Sequence, residues 1–217
     1  EVVAVPCHTL QERPVFELLR VKLEALGFIV EEDDAGEKLG GNCGNLWAFL
    51  PGNKAGATIV LFSAHMDGVE PCGGTTVVQK DGYLYSDGTT ILGGDDKSGV
   101  VGILEGVRMI VEENAEHGDI QILFTIAEEG GVNGSRCMDR SKLKAEVAYA
   151  LDGEGAPGEV VIGAPGQYKW TISVHGKKAH GGLEPENGIN AIMIAAKALA
   201  EVERYGRIDE ETTCNIG

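Results

Sequence analysis

The sequence predicts an α/β fold, a layered sheet with helices on both faces. Three observations carry that prediction. Apolar runs at 58–63, 120–127 and 147–151 have the length of strands buried within a sheet. Segments lying between such runs place their apolar residues at helical spacing instead. The stretch 86–99 joins the two patterns, passing from an apolar turn through two glycines and the pair Asp95-Asp96 into a helix.

Taken in order, Phe16, Leu19, Leu23 and Leu26 make a helical stripe that Gly27 closes, and Phe28 begins an extended segment. Residues 33–44 are polar and glycine-rich and read as a surface loop, before 45–50 returns to an extended pattern that Pro51-Gly52 turns. The run 58–63 reads as a central strand covered on both faces. Between 69 and 85, Gly73-Gly74 and Asp81-Gly82 mark turns, the second closing a small hairpin. Val100, Ile103, Leu104, Val107, Ile110 and Val111 define the helix over 100–113. The runs 120–127 and 147–151 follow as the second and third buried strands. Beyond Gly163 a second unit is expected, with alternation over 168–175 predicting a strand and Ile189, Ile192, Met193, Ala196, Leu199 and Ala200 a helix.

Composition bounds the function. The 217 residues suffice for a sizeable core. With 34 acidic against 18 basic residues the net charge is −16, which argues against nucleic acid and anionic membrane as partners. No apolar run approaches the roughly 20 residues of a membrane span, and the expected location is cytoplasmic. Cys7, Cys43, Cys72, Cys137 and Cys214 lie far apart without a Cys-x-x-Cys pair and read as reduced thiols.

Chemistry is signalled where the apolar runs end. In open α/β sheets functional residues gather beyond the carboxyl ends of strands. There stand His65 and Asp67, then Glu128 and Glu129, then Asp152, with Asp95 in a loop able to join them. Read alone, Asp95 is a helix cap and His65 a satisfied strand-end histidine. Their recurrence at each run points to a metal site. One imidazole with several carboxylates suits zinc, cobalt or manganese, and a carboxylate such as Asp95 can bridge two cations. Asp67 can face His65 and fix its tautomer. Glu128 and Glu129 would face opposite ways on a regular strand, so both serve one site only if the strand has broken before Gly130-Gly131.

With these residues in place, the sequence resembles the dinuclear zinc exopeptidases of the peptidase T type, relatives of glutamate carboxypeptidase and the aminoacylases. The motifs are Ser-Ala-His65-Met-Asp67, Ser-Asp-Gly-Thr-Thr-Ile-Leu-Gly-Gly-Asp95-Asp-Lys, Ala-Glu128-Glu129-Gly, Leu-Asp152-Gly and Gly-Lys-Lys-Ala-His180-Gly-Gly, in family order. The resemblance implies a three-layer α/β/α catalytic domain over 1–164 and the first part of a ferredoxin-like α+β lid and dimerisation domain over 165–217. It implies His65, Asp95, Glu129 and Asp152 as ligands of two divalent metals, with Asp95 bridging. It also implies Asp67 as the residue orienting His65, Glu128 as general base, and His180 as a lid histidine that approaches the substrate carbonyl, commonly from a partner subunit. His8, His117 and His175 carry no motif and read as structural or surface residues.

Family members continue past the point where this chain stops, to a further histidine near their C-terminus that completes the metal pair. The expectation is therefore a fragment whose second site lacks that ligand, and Gly181 also replaces the small residue that usually follows the lid histidine. The expected activity is removal of the N-terminal residue from short peptides by a soluble homodimer. The alternatives are a carboxypeptidase or N-acyl amino acid deacylase with the same metal chemistry, and a module that kept the fold and lost catalysis.

Overall fold

The computed structural model describes residues 1–153, 155–164, 166–202 and 204–216, and the chain divides into two units, Glu1–Gly155 and Ala156–Gly217. In chain order the first unit contains α1 (Arg13–Ala25), β1 (Ile29–Glu32), α2 (Ala35–Leu39), β2 (Leu46–Leu50), β3 (Val60–His65), β4 (Val77–Lys80), β5 (Tyr83–Ser86), α3 (Gly94–Glu112), β6 (Ile120–Thr125), α4 (Asn133–Cys137) and β7 (Val147–Ala150). The α/β class expected from the sequence is what forms.

Five strands make one mixed sheet in the order β1-β2-β6-β3-β7. β1, β2 and β6 pair antiparallel, whereas β3 runs parallel to both β6 and β7. Parallel pairing needs crossover connections, and α3 is the crossover from β3 to β6. The consequence for function is that β3, β6 and β7 end at the same edge.

Side chains alternate between the sheet faces. Leu46, Ala48, Ala64, Ile122 and Phe124 join Val15, Phe16, Leu19 and Leu23 of α1 and Val100, Ile103, Leu104 and Val107 of α3 in one continuous core. Trp47, Leu61 and Leu123 form a smaller cluster, against which Met138 and Ala145 pack. The helix end at Gly27 forms as expected, with the Phe28 N–H donating to the Leu23 carbonyl at 3.1 Å. The hairpin β4–β5 also forms, turning on Asp81 and Gly82, both at positive φ.

Three expectations are corrected. The loop read over 33–44 contains α2, where the buried Asp33 carboxylate accepts the Ala35 and Asn45 N–H groups. A five-residue helix is too short to show an apolar period. The third strand, β7, is an exposed edge rather than a buried strand, because among the described residues only β3 pairs with it. The strand expected over 168–175 is absent. Alternation marks a face, but a strand also needs a ladder partner, and none among the described residues pairs there; Trp170 is left 80% exposed.

The second unit holds α5 (Ala191–Ala200), whose Asn190 side chain caps the Met193 N–H at 3.0 Å, and a small hairpin of β8 (Gly206–Arg207) and β9 (Thr213–Cys214). No helix among the described residues is long and apolar enough to cross a membrane.

Candidate metal centre

The common edge of β3, β6 and β7 gathers the predicted residues. His65 is the last residue of β3, Glu128 and Glu129 follow β6, Asp152 follows β7, and Asp95 lies in the first turn of α3. Two groups of donors form around one imidazole: His65, Glu128 and Asp152, and His65, Asp95 and Glu129, the ligand atoms within each group lying within 4.8 Å of one another. His65 Nε2 lies 3.0 Å from Asp95 Oδ1 and 4.0 Å from Glu128 Oε2. His180 belongs to the second unit, where its exposed ring accepts the Gly182 and Leu183 N–H groups at Nδ1, both at 3.2 Å.

The local backbone explains the convergence. After β6 the chain reverses at Ala127, which has φ 50°, and the Gly131 and Val132 N–H groups both return to the Glu128 carbonyl at 2.7 Å. The strand is broken, so adjacent glutamates no longer face opposite ways. The first turn of α3 is equally irregular. Asp95 and Asp96 have non-helical backbone angles, and the peptide bond between them is cis. The Asp96 side chain turns back to cap the helix, accepting the Gly99 N–H at 3.1 Å and the His65 N–H at 3.3 Å. Gly99 permits this packing, since a Cβ there would fall 2.5 Å from the Leu151 carbonyl oxygen.

Asp67 sets the second layer. Its fully buried carboxylate accepts the Thr9 hydroxyl at 2.8 Å, the Glu128 N–H at 3.0 Å and the Glu129 N–H at 3.2 Å. His65 Nδ1 lies 3.1 Å from the Asp67 carbonyl oxygen and 3.4 Å from its Oδ1. Both acceptors face Nδ1, which leaves Nε2 for the cluster.

The sequence reading passed over several residues of this arrangement. Lys97 is 2% exposed, and its ammonium donates to the carbonyls of Met66 at 2.6 Å and Asp67 at 3.0 Å. Glu12 is fully buried and accepts the N–H groups of Ala127 at 3.0 Å and Leu10 at 2.9 Å. Thr9 and Asp96 complete the set. Periodicity could have found two of them, because Lys97 and Glu12 continue the buried stripes of α3 and α1 by one more turn.

The electrostatics describe a site short of positive charge. Burial pushes the carboxyls of Glu128, Glu129 and Asp152 up; the His65 charge opposes that, and neighbouring carboxylates reinforce it. Burial and then Asp152 push Asp96 up to about 7. Burial alone would lower His65, but its bonds to Asp67 and Asp95 together with nearby carboxylate charge push it up to about 9. Crowded carboxylates around one imidazole are the donor set of zinc, cobalt or manganese, and a divalent cation would relieve their repulsion. The residues present fit such ions.

The sequence model of the peptidase family M20/M25/M40 matches residues 61–214. Among curated relatives, YqjE of Bacillus subtilis, described as uncharacterized, is 44% identical over 217 residues, covering 100% of this chain and 58% of its own length. Peptidase T of Escherichia coli is 28% identical over 221 residues, covering 87% of this chain and 52% of its own. Among solved structures, a tripeptidase from Staphylococcus aureus matches with a TM-score of 0.87 at 36% identity, covering 100% of this chain and 57% of that one. An aminopeptidase PepT from Bacillus cereus matches with a TM-score of 0.81 at 40% identity, covering 100% and 58%. The chain thus spans a little over half the length of these relatives.

Replacing Lys97 by Met should expose the importance of the buried ammonium. The Met66 carbonyl would lose its donor, at a cost of about 1–3 kcal/mol before relaxation, and the Asp67 carbonyl would keep only His65 Nδ1. Denaturant unfolding should show a lower midpoint for Lys97→Met; an unchanged midpoint would remove Lys97 from the scaffold of the site.

Proposed function

The chain belongs to the peptidase family M20/M25/M40, and on that premise we propose that the intact protein is a metal-dependent exopeptidase removing the N-terminal residue from short peptides. The observation that carries this reading is the convergence of His65, Asp95, Glu128, Glu129 and Asp152 on one sheet edge. The substrate class is supported by the tripeptidase and the aminopeptidase among the similar structures. Five unpaired cysteines suit a reducing, cytoplasmic setting.

His65, Asp95, Glu129 and Asp152 would hold two divalent ions, zinc first, with Asp95 shared between them. When bound, such ions lower the pKa of water and polarise a carbonyl, the two needs of amide hydrolysis. Glu128 acts as general base, receiving the proton of the attacking water on its carboxylate and returning it to the leaving amine. Burial pushes its carboxyl up from the ordinary value, the direction that helps a carboxylate take and hold a proton. Asp67 keeps His65 in one tautomer and holds the Glu128 and Glu129 backbone in place. His180 donates a hydrogen bond to the developing oxyanion, supplied by the same chain or by a partner copy.

Assaying the intact protein on a tripeptide panel, with N-acylated amino acids and C-terminally blocked peptides alongside, tests the reading. Release of the N-terminal residue, abolished by a chelator and restored by zinc, cobalt or manganese, is the expected result. Cleavage confined to acylated amino acids or to C-terminal residues would move the protein to the deacylase or carboxypeptidase branch. No hydrolysis by metal-loaded protein would leave a non-catalytic module.

Two substitutions test the assigned roles. Glu128→Gln should lower kcat by at least about 10²-fold while metal content stays near that of the parent, the scale of losing a general base. If metal is lost instead, Glu128 is a ligand and its role has been exchanged with that of Glu129. His180→Ala should lower kcat by roughly 10²- to 10³-fold at unchanged metal content, as for one oxyanion donor. Undiminished turnover would dismiss His180 from catalysis. Recovery of activity on mixing the two inactive variants would show that the histidine acts across a dimer.

A further inference from the structure

Outside the His65 cluster, one more group of metal-ligating side chains comes together among the described residues: His8, Glu70 and Cys72, with ligand atoms within 4.8 Å of one another. The three come from two separate segments. His8 lies on the N-terminal arm, and Glu70 and Cys72 lie on the loop that follows β3. The segments are tied by backbone contacts on both sides of the group. Gly68 donates its N–H to the Cys7 carbonyl at 3.0 Å, Gly74 donates to Ala4 at 2.8 Å, and His8 forms a parallel bridge with Gly68. The donors therefore rest on a paired framework rather than on two free loops.

The side chains of Glu70 and Cys72 meet at one nitrogen of His8. Its Nδ1 pairs with Glu70 Oε1, and Cys72 Sγ stands 3.5 Å from the same nitrogen. A tetrahedral zinc with Zn–S of about 2.3 Å and Zn–N of about 2.0 Å places its sulfur and nitrogen about 3.5 Å apart. The spacing of sulfur and nitrogen is already that of two ligands on one ion.

We infer that His8, Glu70 and Cys72 form a binding site for a thiophilic divalent cation of the zinc class, separate from the His65 cluster. Sulfur, imidazole and carboxylate together select zinc or cobalt over magnesium and calcium, which take oxygen ligands. Three protein ligands leave the fourth position to water, and all three side chains are at least partly exposed, so the ion exchanges with solvent. Binding replaces the protons of the thiol and of the His8–Glu70 pair by the cation. The neighbouring Cys7 is buried and does not belong to the group. An ion here would clamp the N-terminal arm to the loop that begins at Asp67. Its effect is expected on the stability of that edge.

Cobalt is the discriminating probe, since a thiolate gives it a near-ultraviolet charge-transfer absorption that imidazole and carboxylate ligands do not. Titrating the metal-free intact protein with Co²⁺ should produce that band, Cys72→Ser should abolish it, and Cys137→Ser should leave it unchanged. Glu70→Gln, a conservative change on an exposed side chain, and His8→Ala should each weaken the cobalt affinity of the band by at least the 10- to 100-fold typical of disturbing a metal site. Zinc should also slow alkylation of Cys72 in the parent protein. Absence of the band, its persistence in Cys72→Ser, or its indifference to His8→Ala and Glu70→Gln would each overturn the site. None of these readouts depends on peptide hydrolysis, so failure here is distinguishable from failure of the proposed peptidase activity.

Discussion

The carboxylate of Asp67 is the constraint on which the candidate centre depends. The parallel pairing of β3 with β6 brings His65 and the glutamates to one edge, but pairing ends at His65 and Thr125. Past that point the chain needs another tether. Asp67 supplies it by accepting the backbone N–H groups of both Glu128 and Glu129 while facing His65. Burial would raise this acid, yet hydrogen bonds from His65, the Glu128 N–H and Thr9 outweigh it and hold the carboxyl below its ordinary range. A charged, fully satisfied acceptor in a buried position fixes geometry far better than a loop ending in solvent could.

The same edge shows how the fold tolerates so much negative charge. Lys97 is buried beneath it, with its ammonium on the Met66 and Asp67 carbonyls. The start of α3 presents the positive end of a helix dipole to Asp95 and Asp96. These features are not sufficient, because the carboxyls of Glu128, Glu129 and Asp152 remain raised. The imbalance is what a divalent cation removes, so the electrostatics and the donor chemistry lead to the same ligand class.

The legibility of the sequence follows from the same physics. The strands β3 and β6 could be read because buried strands are short apolar runs, and the site could be read because ligand types stand where those runs stop. α2 escaped notice for want of length. The alternation over 168–175 predicted a strand that does not form, since periodicity specifies a face and says nothing of a partner. Glu12 and Lys97 look like surface charges in composition, and only their place on the stripes of Phe16, Leu19 and Leu23 and of Val100, Leu104 and Val107 betrays their burial. A charged residue one turn beyond an apolar stripe is buried only where it finds polar partners, as both do here.

For both glutamates to reach one site the backbone must leave the strand, and Ala127 provides the departure. At φ 50° it takes the chain out of the sheet immediately before Glu128. Its N–H is accepted by Glu12, a buried carboxyl from the start of α1, so the reversal is held from beneath as well as by Asp67 from the side. With both N–H groups of the pair committed to one carboxylate, Glu128 falls in the group with Asp152 and Glu129 in the group with Asp95. A regular strand would have sent one of them to the opposite face of the sheet. The separation of the two glutamates into two groups of donors therefore rests on a single turn, held by two buried acids.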